Sequence, residues 1–517
     1  MHWADKSADD LLRRGREHVI ESGTSISGIP HIGNASDVIR GDAIRKALSD
    51  KKADVRFIWV ADDCDPFRKI PRGMENLKNY LGFPVHDIPD PEGCHKNFVE
   101  HFVNPFISDL SKFGVEPEVF SAAKAYRKGE FYEEIKTALE NSNKIAGILN
   151  KFRDKNNPLI DYIPWQPVCE NCGKISTTRS YDWDGGDIVS YICEDREVSG
   201  GKVKGCKYLG ESDIKKAQGK MPWRVEWAAR WKHFKVTCEP LGKEHASSGG
   251  SFWSSQVITK EIFGWEPPMP VIYEFFTLNG EKISSSKGNV ITLGQWLEIG
   301  EAEVLKAYMY KVLKKQRDID LSKVPNMTDE YDEFEAIYAG IKEGDEKLKR
   351  LYELSQVNEP AMLQVPFTLC AVLSQIPNLT VDKISGKLKS MGYRDFDKER
   401  LKGRLKAAEG WVLKHGPEFL RFELLGENEA EPFKAGLSQL QKKGLQTIAD
   451  EMESVEFTPK DLHVRIYQIA RRTGLDPNDL FSAIYLVLVG KEKGPRAGSF
   501  LLTLDREFVI NRFSGTG

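Results

Sequence analysis

The chain has 517 residues, enough for several domains, one of which can bury a catalytic core of its own. It is 40% hydrophobic and 29% charged, with a net charge of −3 and a pI near 6.4, which excludes a general nucleic-acid coat and leaves any RNA to local basic patches. No apolar run is long enough to span a bilayer, and the charged segment 1–16 fits neither a secretory signal nor an anchor, so a cytosolic protein with no membrane partner is expected.

Residues 1–20 read as an amphipathic helix entering a strand at 18–24, followed by a helix at 34–50 and an apolar run at 55–61. Strand, helix and strand at this spacing form a βαβ unit. It implies a parallel sheet with a right-handed crossover and a nucleotide outside the carboxyl ends of the strands. Residues 84–101 are a loop of Pro, Gly, Asp, Cys and His, and helical patterns follow at 97–110 and 126–152. The turn-rich stretch 165–210 carries four of the eight cysteines, which point to metal ligands and buried thiols rather than to a disulfide framework. Helix and strand patterns then alternate at 223–234, 236–240, 251–263 and 271–278.

After residue 292 the periodicity is helical with hardly any strand pattern, through 334–354, 361–376, 400–415, 433–455 and 461–473. The run from Tyr310 to Arg317 reads as a basic helix offering phosphate contacts, with an ordinary solvated helix face as the competing reading. The expected architecture is α/β, a nucleotide-binding Rossmann-like parallel-sheet catalytic domain over residues 1–290. A zinc-containing insertion at about 82–220 is expected inside it, with metal-binding segments at 84–101 and 165–210. A helical connecting segment at 291–330 and an all-α domain at 331–517 complete the chain.

Two short motifs carry the chemistry. Pro30-His31-Ile32-Gly33-Asn34 joins the first strand to its helix, where a small residue admits a nucleotide and the helix N-terminus favours anions. Lys282-Ile283-Ser284-Ser285-Ser286-Lys287-Gly288-Asn289 is a Ser/Gly-rich loop with a lysine at either side, suited to a cationic clamp on a polyphosphate. The pair is similar to motifs of class I aminoacyl-tRNA synthetases, which implies attack of a carboxylate on the α-phosphate of ATP, with charge building on the phosphoryl oxygens. His31 would donate there, Gly33 would leave room for the adenine, and Lys282 and Lys287 would follow the leaving pyrophosphate. Ser284, Ser285 and Ser286 complete the expected ATP-binding set, in which Mg²⁺ accompanies the nucleotide.

The pair resembles the HIGH and KMSKS signatures of class I aminoacyl-tRNA synthetases. Two departures stand out. Asn34 replaces the second histidine, and Ser285 replaces the second lysine, leaving Lys287 to carry that charge. Further segments resemble one family, the class I lysyl-tRNA synthetases of archaeal type: Trp223-Arg224-Val225-Glu226-Trp227, Gly242-Lys243-Glu244-His245 and Val271-Ile272-Tyr273-Glu274-Phe275-Phe276. The resemblance implies that Gly23, Ser25, Trp223, His245 and Tyr273 line a lysine pocket. An ammonium favours aromatic faces and carboxylates, and Glu226 is a candidate carboxylate. Glu21 stands where glutamyl-type enzymes usually carry an arginine, a reversal that favours a cationic substrate, unless Glu21 simply faces solvent.

Cys169-x2-Cys172 with Cys193 and Cys206 offers a tetrahedral four-cysteine zinc site that would staple a polar, turn-rich insertion. Asp90, Cys94, His95 and His101 form a mixed set, and the resemblance implies a second structural zinc there. Cys64, Cys238 and Cys370 are expected as buried thiols. The implied partners are ATP, L-lysine and tRNA-Lys, with the anticodon at the helical domain, whose segment 481–498 resembles the end of an anticodon-binding helix cage. A monomer is the family expectation. Two rival readings are the same chemistry with glutamate, and a zinc-stapled RNA-binding protein whose nucleotide site is dead.

Overall fold

The computed structural model describes residues 1–216, 218–283, 288–394 and 396–514. Ser284, Ser285, Ser286 and Lys287 therefore lie outside the described residues. The chain divides into two compact units. The first comprises 1–294, 306–319 and 353–357, and the second 295–305, 320–352 and 358–517, so the stretch 291–330 is divided between them.

The first unit is built on a five-stranded, wholly parallel sheet. Its order is Met269–Tyr273, Cys238–Gly242, Glu17–Thr24, Asp54–Ala61 and Glu118–Ser121. A parallel sheet is covered on both faces, so its strands read as apolar runs, here Phe57 to Ala61 with every residue buried. Helix Ile32–Asp50 crosses between the two central strands, which pair Ile20 with Phe57 and Thr24 with Ala61. The carboxyl ends of these strands, where the order reverses, hold the segment that contains His31.

Several expected elements are divided in the structure. The 126–152 pattern is three helices, Ala122–Arg127, Tyr132–Glu140 and Ser142–Asn150. The 271–278 run breaks after Tyr273, and Phe276–Leu278 belongs to a second sheet with Glu281–Lys282 and Arg317–Ile319. The basic helix expected at 310–317 does not form. Helix Ala302–Tyr310 ends there, and Arg317 pairs in parallel with Phe276 while its guanidinium lies 3.8 Å over the Tyr308 ring. Burying Ile319 beside Leu278 outweighs the mild helix propensity of a Lys/Arg/Gln run.

The second unit is helical among its described residues. The expected helix at 334–354 is two, Val324–Tyr338 and Glu346–Ser355, and that at 433–455 is also two, Glu427–Gly436 and Gln439–Ser454. Between 361 and 376 only Phe367–Leu373 is α-helical, beginning after Pro366. Lys398–His415 and Pro459–Thr473 form close to the expected positions.

A buried clasp holds one end of this unit. The Arg404 guanidinium, fully buried, donates to both Asp332 oxygens at 2.7 Å, to Glu301 at 2.8 Å and to the Val365 carbonyl at 2.8 Å. Arg404→Ala would strip Asp332 of its bidentate partner and leave Arg400 as the remaining cation beside Asp332 and Glu301, and should destabilise the chain by about 3 kcal/mol in chemical denaturation. A change below about 1 kcal/mol would show that water reaches the clasp. No helix among the described residues is long and apolar enough to cross a membrane.

Candidate nucleotide and substrate site

His31 is the N-cap of helix Ile32–Asp50. Its Nδ1 accepts from the Gly33 N–H at 3.0 Å, and Asn34 Oδ1 accepts from the His31 N–H at 3.1 Å, a reciprocal cap. Because Nδ1 accepts, the ring proton sits on Nε2, which is left to donate. Burial lowers the imidazole to about 4, so this donor is neutral near pH 7. The small residue at Gly33, expected to leave room for adenine, is also required by the cap itself. A Cβ there would lie 2.7 Å from His31 Cε1, so the small residue admits the histidine ring itself. Asn34 uses its oxygen on the backbone, and its NH2 is the donor left over. Pro30 is buried just before the cap.

The segment just after the second motif meets the first, since the Ile32 N–H donates to the Ile291 carbonyl at 2.9 Å. Lys282 is exposed at the end of a short strand whose partner is Thr277. Its Nζ lies 5.7 Å from the Phe275 ring centroid, and Lys243 Nζ lies 4.9 Å from the same ring. Lys243 also pairs with Glu274 at 2.7 Å. Sequence reasoning did not single out Lys243 as a site residue, because only the fold places it across Phe275 from Lys282.

Of the residues expected to meet lysine, Gly23, Trp223 and His245 gather around helix Trp223–His233. Trp223 stacks on Trp227 at 4.9 Å, the exposed His245 ring lies 5.5 Å from Trp227, and a Cβ at Gly23 would lie 3.4 Å from Arg230 Nη2. Tyr273 donates its hydroxyl to Asp37, with the Arg40 guanidinium 4.1 Å over its ring. Burial raises the Asp37 carboxyl to about 7. Ser25 Oγ donates to Asp65 Oδ2 at 3.2 Å.

Glu21 and Glu226 occupy a different position from the one expected. Both are fully buried and offer no oxygen to a pocket or to solvent. Glu21 makes a charge contact with Arg230 at 2.8 Å without hydrogen-bond alignment, and Glu226 pairs with Lys220 at 2.8 Å. Arg230 also binds Asp62, and Lys220 also binds Asp65. Glu239 accepts from the indoles of Trp227 and Trp231. Seven ionisable groups thus lie together, with five carboxyls (Glu21, Asp62, Asp65, Glu226, Glu239) against two cations (Lys220, Arg230).

Burial raises Glu21 to about 7, against the pull of Arg230. Burial also opposes ionisation of Asp65, but Lys220 holds that carboxyl below its ordinary range. Asp65, with 14% of its side chain exposed, is the carboxylate that reaches open space. Sequence reasoning missed Asp62 and Asp65. Their signal was available, because they follow the second strand at its carboxyl end, where this fold class binds ligands.

Two clusters have the donors for a metal, and in each the ligand atoms lie within 4.8 Å of one another. In the first, Cys169 and Cys206 sulfurs are 3.6 Å apart and Cys172 and Cys193 sulfurs 3.7 Å apart. A tetrahedral zinc–thiolate centre with bonds of about 2.3 Å would set sulfurs about 3.8 Å apart, so these four residues fit such an ion. The second gathers Asp90, Cys94, His95 and His101. His101 Nδ1 is 3.0 Å from Asp90 Oδ1, and Cys94 Sγ is 3.0 Å from His95 Nδ1. Its mixed O, S and N donors suit a borderline cation. Cys64, Cys238 and Cys370 are buried free thiols.

The family description tRNA synthetases class I (K) matches residues 1–358. Lysine–tRNA ligase of Methanosphaera stadtmanae is 38% identical over 540 residues, covering 99% of both chains. The lysine–tRNA ligases of Methanocaldococcus jannaschii (37% over 547 residues) and Pyrococcus horikoshii (38% over 534 residues) each also cover 99% of both chains. With a wholly parallel five-stranded sheet and this extent of similarity, the chain belongs to the class I (K) tRNA synthetase family.

Proposed function

We propose that the chain is an ATP-dependent lysine–tRNA ligase. The observation that carries this reading is the end-to-end similarity to relatives named for that activity, across both units. The lysine carboxylate attacks the α-phosphorus of ATP, an O–P bond forms, and the bond to pyrophosphate breaks. The terminal ribose hydroxyl of tRNA-Lys then attacks the lysyl carbonyl, AMP departs with the electron pair, and the hydroxyl proton leaves on its phosphate.

This chain contributes positioning and charge. His31 Nε2–H and the Asn34 amide are directed at the phosphates from the helix N-terminus. Lys282, with Lys287 and the serines between, neutralises the leaving pyrophosphate, where Mg²⁺ would supply further positive charge when bound with the nucleotide. Trp223, His245 and Tyr273, with Gly23 and Ser25, shape the lysine pocket. Glu21 and Glu226 act from behind it, through Arg230 and Lys220, as sources of negative potential that favour a cationic side chain. The helical second unit takes the anticodon, and the same reading has the chain working as a monomer in the cytosol.

Lysine-dependent pyrophosphate exchange, followed by charging of tRNA-Lys, tests this function. Exchange driven by glutamate, or none with any amino acid, would sink it.

Both metal clusters are read as structural zinc sites, because four protein ligands leave no position open for chemistry. Cys172→Ser is expected to remove one of two zinc equivalents from the purified protein and to lower the unfolding temperature by several degrees. Unchanged metal content by atomic absorption would refute the assignment.

A further inference from the structure

Glu21 and Glu226, the carboxyls expected in the lysine pocket, are turned into the buried cluster, so a bound ammonium needs its acceptors from elsewhere. Tyr273 is one of the residues read as lining that pocket. It ends the strand Met269–Tyr273 opposite Gly242, and its carbonyl accepts from the Lys243 N–H at 3.0 Å. Its hydroxyl donates to Asp37 Oδ1. Asp37 belongs to helix Ile32–Asp50, three residues beyond Asn34 and therefore on the same side of that helix. The tyrosine ring is buried and the carboxyl half-buried, so the pair borders open space instead of being sealed in the core.

Arg40, three residues further along, is fully buried, with its guanidinium 4.1 Å from the Tyr273 ring centroid and 5.1 Å from that of Phe276. Its Nη1 donates to the Ser36 carbonyl at 3.2 Å, which anchors it to the helix. Tyr273 is thus held twice by one helix, on its ring face by Arg40 and at its hydroxyl by Asp37. A phenol has one proton, and here that proton is committed to Asp37. Toward any third group the oxygen can then only accept. An ammonium, which carries donors alone, is its complement, whereas a substrate carboxylate, which carries acceptors alone, is not.

We propose that Asp37 is a positioning residue for amino-acid selection: by holding the Tyr273 proton it presents the phenolic oxygen as an acceptor that takes an ammonium of the substrate and turns away an acceptor-only side chain. The inference rests on the ligase reading above, with Tyr273 in the lysine pocket. Asp37 acts through Tyr273 and touches no reacting atom. Helix Ile32–Asp50 then serves both small substrates. Its first turn addresses the phosphates through His31 and Asn34, and its second orders the pocket through Asp37. Cutting the tie at Asp37 leaves the reciprocal His31–Asn34 cap in place, so the loss falls on lysine and spares ATP.

Lysine-dependent pyrophosphate exchange by the full chain supplies the test. If the unmodified protein shows none, it is the ligase reading that fails. Given exchange, Asp37→Ala and Tyr273→Phe should each raise KM for lysine about tenfold, as for loss of one hydrogen bond to a charged group, and leave KM for ATP within about twofold. The double variant should be no worse than either single one, because both remove the same link. Asp37→Asn keeps the shape and an acceptor oxygen, and should recover most of what Asp37→Ala loses. Lysine carries two ammonium groups, and competing analogues tell them apart: norleucine lacks the side-chain amine and ε-aminocaproate the α-amine. Inhibition by the analogue that retains the group met by Tyr273 should weaken in Asp37→Ala, and inhibition by the other should hold. Additive losses in the double variant, KM for ATP and lysine rising together, or both analogues responding alike would overturn the proposal.

Discussion

Lys282→Ala is expected to lower kcat for lysine-dependent pyrophosphate exchange by about 10²–10³-fold, the usual loss when one preorganised donor to a developing charge is removed. The exposed ammonium lies at the mouth of the loop that follows its strand, and Lys243 stands across Phe275 from it. Lys243 already pairs with Glu274, so it is not placed to substitute. Lysine affinity by calorimetry should change less than twofold, because the lost interaction is made in the transition state. His31→Ala should behave alike. Its Nε2–H is neutral near pH 7, so the wild-type rate should show no step from this group between pH 6 and pH 8. A Lys282→Ala variant with full exchange activity would remove the lysine loop from the mechanism.

Arg230→Met carries the largest expected cost in stability. The guanidinium is almost fully buried between Glu21, Asp62 and Glu226, with Glu239 near by. Removing it leaves carboxyls without compensation in a region that already has more acids than bases. The expected loss is about 3–5 kcal/mol in urea unfolding. The sign of the pH dependence follows from Glu21, which burial raises from 4.5 to about 7. Its contribution is fully present below pH 4.5 and is lost as pH rises through 7. Without Arg230 the loss on raising pH should be steeper, and Asp62→Asn in the same background should recover part of it. Unfolding curves of wild type and variant that run parallel from pH 5 to pH 8 would contradict this account.

The buried acid excess also bears on substrate choice. Glu21 and Glu226 are buried and burial favours their neutral forms, so negative potential behind the proposed lysine pocket grows only as pH rises and more of the five carboxyls ionise against the two cations. A substrate carboxylate would meet repulsion there, whereas an ammonium would be attracted. Discrimination between lysine and glutamate would then lie partly in residues that no ligand contacts, which a search of pocket-lining side chains would miss.

The sequence by itself determined the βαβ start, the parallel sheet, the helical second half and the two sets of metal donors. Most of these rest on local information, apolar periodicity or a Cys-x2-Cys pair, whereas the set of Asp90, Cys94, His95 and His101 rested on the family resemblance. What only the tertiary structure decided concerns partners distant in the chain. Position 21 was legible as an unusual acid, but whether it would face lysine or Arg230 depended on a helix more than 200 residues away. The 311–317 run looked helical because Lys, Arg and Gln favour helices, and only Phe276–Leu278 lying beside it makes Arg317–Ile319 a strand. Gly200 is an ordinary turn residue until the Arg68 carbonyl is placed 2.6 Å from where its side chain would begin. Propensity and patterning act over a few residues. Burial of charge, strand pairing and backbone contact are settled by which distant segments the packed core brings together.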